Sequence, residues 1–117
     1  MAAPNIVNVS TITGKTAVQA VGTSATAIVT NGSSSGKVFK VNALYVSNVD
    51  GTDNAEVNID IFRSSVAYHI VKTLVVPADA TVDVISKAIY LEEGDALRIT
   101  ANAASDLEAV CSYEEIS

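Results

Sequence analysis

The sequence predicts an all-β domain, an antiparallel, jelly-roll-like β-sandwich of about eight strands. Three observations carry this. Valine (17) and isoleucine (10) supply 27 of the 117 residues against five leucines, and β-branched side chains suit a pleated strand better than a helix. The segment Val57-Asn58-Ile59-Asp60-Ile61 alternates apolar with polar, as a strand with one wet face requires. Turn signals recur at roughly 8–12-residue spacing, the rhythm of a sandwich or jelly roll. At this length the chain holds one domain, residues 1–117, and no repeat of solenoid length is present.

In chain order, the first ten residues begin with small residues and Pro4 and then alternate apolar with polar. They read as an extended arm or an edge strand, with Pro4, Ile6, Val7 and Val9 as candidate interface residues. Strands are expected near residues 15–21 and 25–30, followed by a flexible polar loop at Asn31-Gly32-Ser33-Ser34-Ser35-Gly36. Residues 38–49 are apolar on both parities, Val41, Ala43 and Tyr45 on one side and Leu44 and Val46 on the other, which predicts a strand buried on both faces. Asp50-Gly51 is a hairpin signal before the Val57 strand. Pro77 ends a strand expected over 66–76, since proline cannot donate to a ladder. Further strands are expected over 81–91, 96–102 and 107–114, with Glu92-Glu93-Gly94-Asp95 turning the chain between two of them.

Thirteen acidic and seven basic residues leave a net charge of -6 with no basic cluster. Nucleic-acid binding by phosphate neutralisation is therefore not expected. No apolar run approaches the length of a membrane-spanning helix, and the N-terminus lacks the charged and apolar regions of a secretory signal. Synthesis in a cytoplasm and no membrane partner are the expectations. The mean hydropathy of +0.34 is high for so small a domain, so part of the apolar surface is expected to be buried against other chains, most plainly in a homo-oligomer.

Chemistry-bearing residues are few. His69 is the one histidine and lies in the strand-like context Tyr68-His69-Ile70-Val71, with no nucleophile or orienting carboxylate to make a triad. Cys111 is the one cysteine; it shares its parity with Leu107, Ala109 and Tyr113 and reads as a core residue. Asp50 and Asp53, with Asn54 and Glu56, collect hard oxygen donors but lack the order of a calcium loop, which leaves them weak metal candidates beside a solvated turn. Glu92 and Glu93 are adjacent, so in an extended chain they point to opposite faces and make no two-carboxylate site. No phosphate-binding glycine motif occurs. No catalytic residue, enzymatic activity or cofactor is expected. The absence of tryptophan argues against a sugar-stacking platform, and the absence of a catalytic constellation against a small hydrolase.

Several stretches together carry a resemblance: Met1-Ala2-Ala3-Pro4-Asn5-Ile6-Val7-Asn8-Val9, Ile12-Thr13-Gly14-Lys15-Thr16, Leu44-Tyr45-Val46-Ser47-Asn48-Val49-Asp50-Gly51-Thr52, Tyr90-Leu91-Glu92-Glu93-Gly94-Asp95, and the ending from Leu107 to Ser117. The chain resembles small virion structural proteins of tailed phages that infect marine cyanobacteria. The Glu-Gly-Asp turn between Ile89 and Ile99 is similar to one found in many trimeric jelly rolls. The resemblance implies a homotrimeric capsid decoration, or cement, protein at the capsid surface, with the major capsid protein as partner. A tail, neck or fibre-associated structural module, with receptor contact as one of its roles, is the alternative.

Overall fold

The computed structural model describes residues 4–117. Nine strands follow in chain order: β1 (Ile12–Ala20), β2 (Thr26–Thr30), β3 (Val38–Asn48), β4 (Ala55–Arg63), β5 (Val66–Val76), β6 (Thr81–Asp83), β7 (Ile89–Leu91), β8 (Ala96–Ala101) and β9 (Leu107–Ile116). They form two antiparallel sheets. Sheet A runs β1-β9-β3-β6, with β7 also pairing β3; sheet B runs β2-β8-β4-β5. If β6 and β7 are counted as one broken strand, the pairing is nested: first with last, second with second-to-last, third with the broken strand, and β4 with β5. This is an antiparallel ribbon folded over on itself, the topology of an eight-stranded jelly roll. The expected fold class is present.

The core lies between the sheets. Val41, Leu44 and Val46 of β3, Ala109 and Cys111 of β9, Val57 and Ile59 of β4, and Leu97 and Ile99 of β8 are all buried. The alternation read at residues 57–61 places Val57 and Ile59 in this core. On the far side of β4, Asp60 is buried beneath its register partner Arg98, whose Nε donates to Asp60 Oδ1 at 2.9 Å. The guanidinium carbon of Arg98 sits 3.9 Å from the centre of the Phe62 ring, so the cation covers an aromatic face as well as the carboxylate.

Four local expectations are corrected. First, β3 is not buried on both faces, because Tyr45 is 44% exposed whereas Leu44 and Val46 beside it are fully buried. The register against β9 shifts between Val41 and Ala43. One extra residue, Asn42, reverses the parity of the strand, so Val41 and Leu44 both face inward. Second, Asp50-Gly51 does not make a hairpin: β3 lies in sheet A and β4 in sheet B, so this loop crosses between sheets. The hairpin is β4–β5, turning at Ser64 and Ser65 with φ of 52° and 62°, the left-handed pair of a type I′ turn made without glycine. Third, residues 81–91 are not one strand. Asp83 Oδ1 accepts the Ile85 N–H at 3.1 Å, and the chain leaves the ladder there and inserts Ile85 into the core. Fourth, the loop after β2 is anchored, since Asn31 is fully buried. Its Nδ2 donates to the carbonyls of Lys37 and Leu91, both at 3.0 Å.

Val41→Asp is expected to cost about 4 kcal/mol or more, because the charge has no partner in the core. Tyr45→Asp, on the wet face, is expected to change stability by less than about 1 kcal/mol. Thermal melts of the two variants check the parity reversal. Ser65→Gly is expected to stabilise the domain by roughly 0.5–1 kcal/mol by relieving the left-handed strain at that residue, read from a denaturant midpoint.

Candidate functional site

In β1, β3 and β9, the residues whose neighbours point into the core form the outer face of sheet A. Val18 of β1 lies opposite Val110 of β9, which lies opposite Tyr45 of β3. These three are 74%, 37% and 44% exposed. They form one cross-strand row, ending at Asp83 of β6. On one side the next row is Thr16, Ser112 and Ala43; on the other it is Ala20, Glu108 and Ser47. Across three adjacent strands this region carries one charge, Glu108. Three exposed apolar groups side by side on adjacent strands make this face the candidate interaction surface.

The N-terminal segment supplies further exposed apolar groups. It is neither a strand of the domain's own sandwich nor fully extended. Asn5 Oδ1 accepts the Val7 N–H at 3.0 Å, and the Asn5 carbonyl accepts the Asn8 N–H at 2.9 Å, which makes a tight turn. The turn leaves Ile6 52% and Val7 89% exposed, while Pro4 and Val9 are half-buried. The Ser10 and Thr11 N–H groups then donate to the Ser117 carbonyl, so the segment springs from the end of sheet A where β1 and β9 begin to pair. Residues 1–3 of the expected arm lie outside the described residues.

The opposite kind of chemistry gathers at the β7–β8 turn. Arg63, at the end of β4, donates from Nε to Asp95 Oδ1 at 2.7 Å, and its terminal nitrogen also reaches Asp95 Oδ2 and Glu92 Oε2. Asp95 Oδ2 also accepts the Glu92 N–H at 2.8 Å, which closes the turn around Gly94, whose φ is +90°. Burial alone would raise the Asp95 carboxyl, but the Arg63 hydrogen bond, the Glu92 N–H and the guanidinium charge outweigh it and hold the group below its usual range. Arg63 is correspondingly raised, through its hydrogen bond to and charge attraction by Asp95. Glu93 Oε2 accepts the Gly36 N–H, tying the loop after β2 to the same turn. Glu92 and Glu93 are thus spent on separate structural contacts and make no paired-carboxylate site.

The remaining singled-out residues are dispersed. His69 is exposed on β5. Cys111 is fully buried in β9, and burial pushes its thiol up to about 11, so at neutral pH it is a protonated core residue. Asp50 Oδ1 accepts the Thr52 N–H, and the Asp53 carbonyl accepts Asn48 Nδ2. Among the described residues no three His, Cys, Asp or Glu side chains converge on a possible metal position. Sequence reasoning missed Asn48, a buried side chain whose Nδ2 also reaches the Val76 carbonyl at 2.9 Å and whose Oδ1 accepts the Asp50 N–H. It also missed the Val18–Val110–Tyr45 row, to which only the surplus of apolar residues pointed.

No protein-family model matches the chain, and no curated protein matches it. Among solved structures, it is similar to a protein of Bacillus endospore appendages, described as a novel family of disulfide-linked pili. The TM-score is 0.53 at 17% identity, over 92% of this chain and 88% of that one. Likeness at that identity concerns the fold. The one cysteine of this chain is enclosed in the core and presents no sulfur for a linkage between subunits.

Two ion-paired carboxylates give the stability a definite pH dependence. Glu115 is lowered by its hydrogen bonds from Lys15 and Lys37, and Asp95 by Arg63 as above. Both folded values lie below the ordinary ones of 4.5 and 3.8. Their stabilisation is therefore complete above those values and is lost as pH falls through the folded ones. The melting temperature is expected to fall as pH drops below about 4, and Asp95→Asn is expected to flatten that decline. Thermal melts of both proteins across the acid range check it.

Proposed function

We propose that this chain is a non-enzymatic structural protein of a phage particle, a capsid decoration protein held on the outer shell by the outer face of sheet A and by its N-terminal segment. The observation that carries the reading is the exposed row Val18, Val110 and Tyr45, across which β1, β9 and β3 present no charge. Such a face stays soluble in one chain but gains by covering a flat apolar area on another. Ile6 and Val7, held out on a turn beside the same sheet, extend the contact. The resemblance to cyanophage virion proteins names the shell, and the major capsid protein is the partner that follows from it. The jelly-roll fold, shared with a pilus protein, is compatible with a subunit that works by association.

Affinity in this reading comes from repetition. Each copy makes a modest apolar contact, and the symmetric shell offers many identical sites, so no single deep pocket is required. Of the acidic residues behind the net charge of -6, Asp83 and Glu108 border the docking row, and the remaining exposed ones face solvent or meet basic capsid patches. Raised salt is then expected to weaken only the second kind of contact.

Binding to purified empty capsids tests the proposal by occupancy per shell. Val110→Asp combined with Tyr45→Asp is expected to reduce occupancy at least about tenfold, since two charges would be buried against an apolar surface. Removal of residues 2–9 is expected to lower it further. Unchanged occupancy in both variants overturns the docking face. The wild-type protein found only at the tail, in a few copies per particle, would replace the decoration reading with that of a tail, neck or fibre module.

A further inference from the structure

The long edge of β1 differs from every other sheet edge in the molecule. Sheet edges invite pairing with another chain, and proteins usually guard them with bulges, charges or short strands. β5 carries two register shifts and Thr73 at φ 55°. β2 has five residues and a shift after Ala27. β6 and β7 have three residues each. β1 runs nine residues in unbroken register with β9. It has no proline, and its one charge, Lys15, is neutralised within the chain by Glu115 at 2.7 Å.

The printed bonds fix which backbone groups of β1 are free. Thr11 and Ser117 exchange both hydrogen bonds, each at 2.9 Å, and the Val21 N–H donates to the Leu107 carbonyl at 2.9 Å. Alternation in an antiparallel ladder then turns residues 13, 15, 17 and 19 toward β9. The N–H and C=O groups of Ile12, Gly14, Thr16, Val18 and Ala20 point away from it, along the open edge.

We propose that β1 pairs antiparallel with β1 of a second copy of this chain, about a two-fold axis at Thr16, joining two A sheets into one continuous sheet. This register places Thr16 opposite Thr16 of the second copy, Gly14 opposite Val18 and Ile12 opposite Ala20. It is the register that uses all five outward-facing residues of each strand, every one against another outward-facing residue. The side chains fit it. A Cβ on Gly14 meets nothing within 4 Å, so there is room for the exposed Val18 of the other copy beside it. The central threonine pair is a favourable cross-strand pair. Because Lys15 is already bound to Glu115, two negatively charged chains meet along a strand with no unpaired charge. An isologous contact of this kind closes on itself, giving a dimer and no filament. It stands on the free chain and does not require a capsid, and it takes the place of the trimer that the resemblance implies.

The test is sedimentation and oxidative cross-linking of the full chain. The wild type is expected to sediment at twice 12.1 kDa at high micromolar concentration. Gly14→Lys, which has space in the single copy but crowds Val18 of the other, is expected to sediment at 12.1 kDa with an unchanged circular dichroism spectrum. Thr16→Pro is expected to do the same, since the lost N–H faces away from β9. Thr16→Cys is expected to oxidise to a covalent dimer and Ile12→Cys is not, because only position 16 meets itself. A wild-type monomer, a trimer, dimers that survive Gly14→Lys, or equal cross-linking from positions 12 and 16 would each overturn the pairing. None of these results touches the capsid reading, which is probed at Val110 and Tyr45, away from the edge.

Discussion

The rest of the structure depends on the insertion of β9 between β1 and β3. It aligns its whole length with both neighbours, and without it sheet A falls into a lone strand and a short-edged remnant. The contacts that define the sheet thus join residues roughly 60 to 100 positions apart, from Asn48 with Leu107 to Ile12 with Ile116. Loop closure over that distance must precede any return from the pairing, so a nested ribbon of this kind is intrinsically slow to fold. The Thr11–Ser117 exchange seals the open end of the ladder.

Polar side chains solve the problem this topology creates at the two ends of the sandwich. Every strand but the β4–β5 hairpin crosses to another sheet or breaks, so the connecting loops cannot satisfy their backbone groups through ladders. Asn31 does so at one end and Asn48 at the other, each lending both faces of its amide to carbonyls and donors of separate loops. The Asp95–Arg63 pair adds a third tie, clamping the turn that follows β7 to the end of β4. Such buried amides fix one loop arrangement, since any alternative leaves a desolvated donor or acceptor.

Much of the fold was legible because it rests on composition and punctuation: the Val and Ile surplus, Pro77, and the alternation at 57–61. What escaped depends on distant partners. The extra residue at Asn42 is visible only against β9, and with it goes the prediction of which side of β3 is wet. Ser64-Ser65 lacks the asparagine or glycine that flags a type I′ turn, so the hairpin went unread while Asp50-Gly51 drew it to the wrong loop. Asn31 looked like a solvated loop residue because its burial is imposed by Leu91 and Lys37. The exposed Val18–Val110–Tyr45 row needed the same missing parity, since an apolar residue on a strand is core or surface according to which face the sheet covers. Cys111 was legible because β9 keeps one parity throughout.

Cys111 also makes sheet A its own reporter. The thiol lies in the middle of the strand on which the sheet depends, with no path for a reagent through the packed core. Local fraying at either end of β9 does not expose it. Alkylation in the native state therefore proceeds only through opening of the whole sheet, and under fast reclosure its rate is proportional to the population of that open form. One natural side chain, with no added label, converts the stability of sheet A into a chemical clock readable by mass.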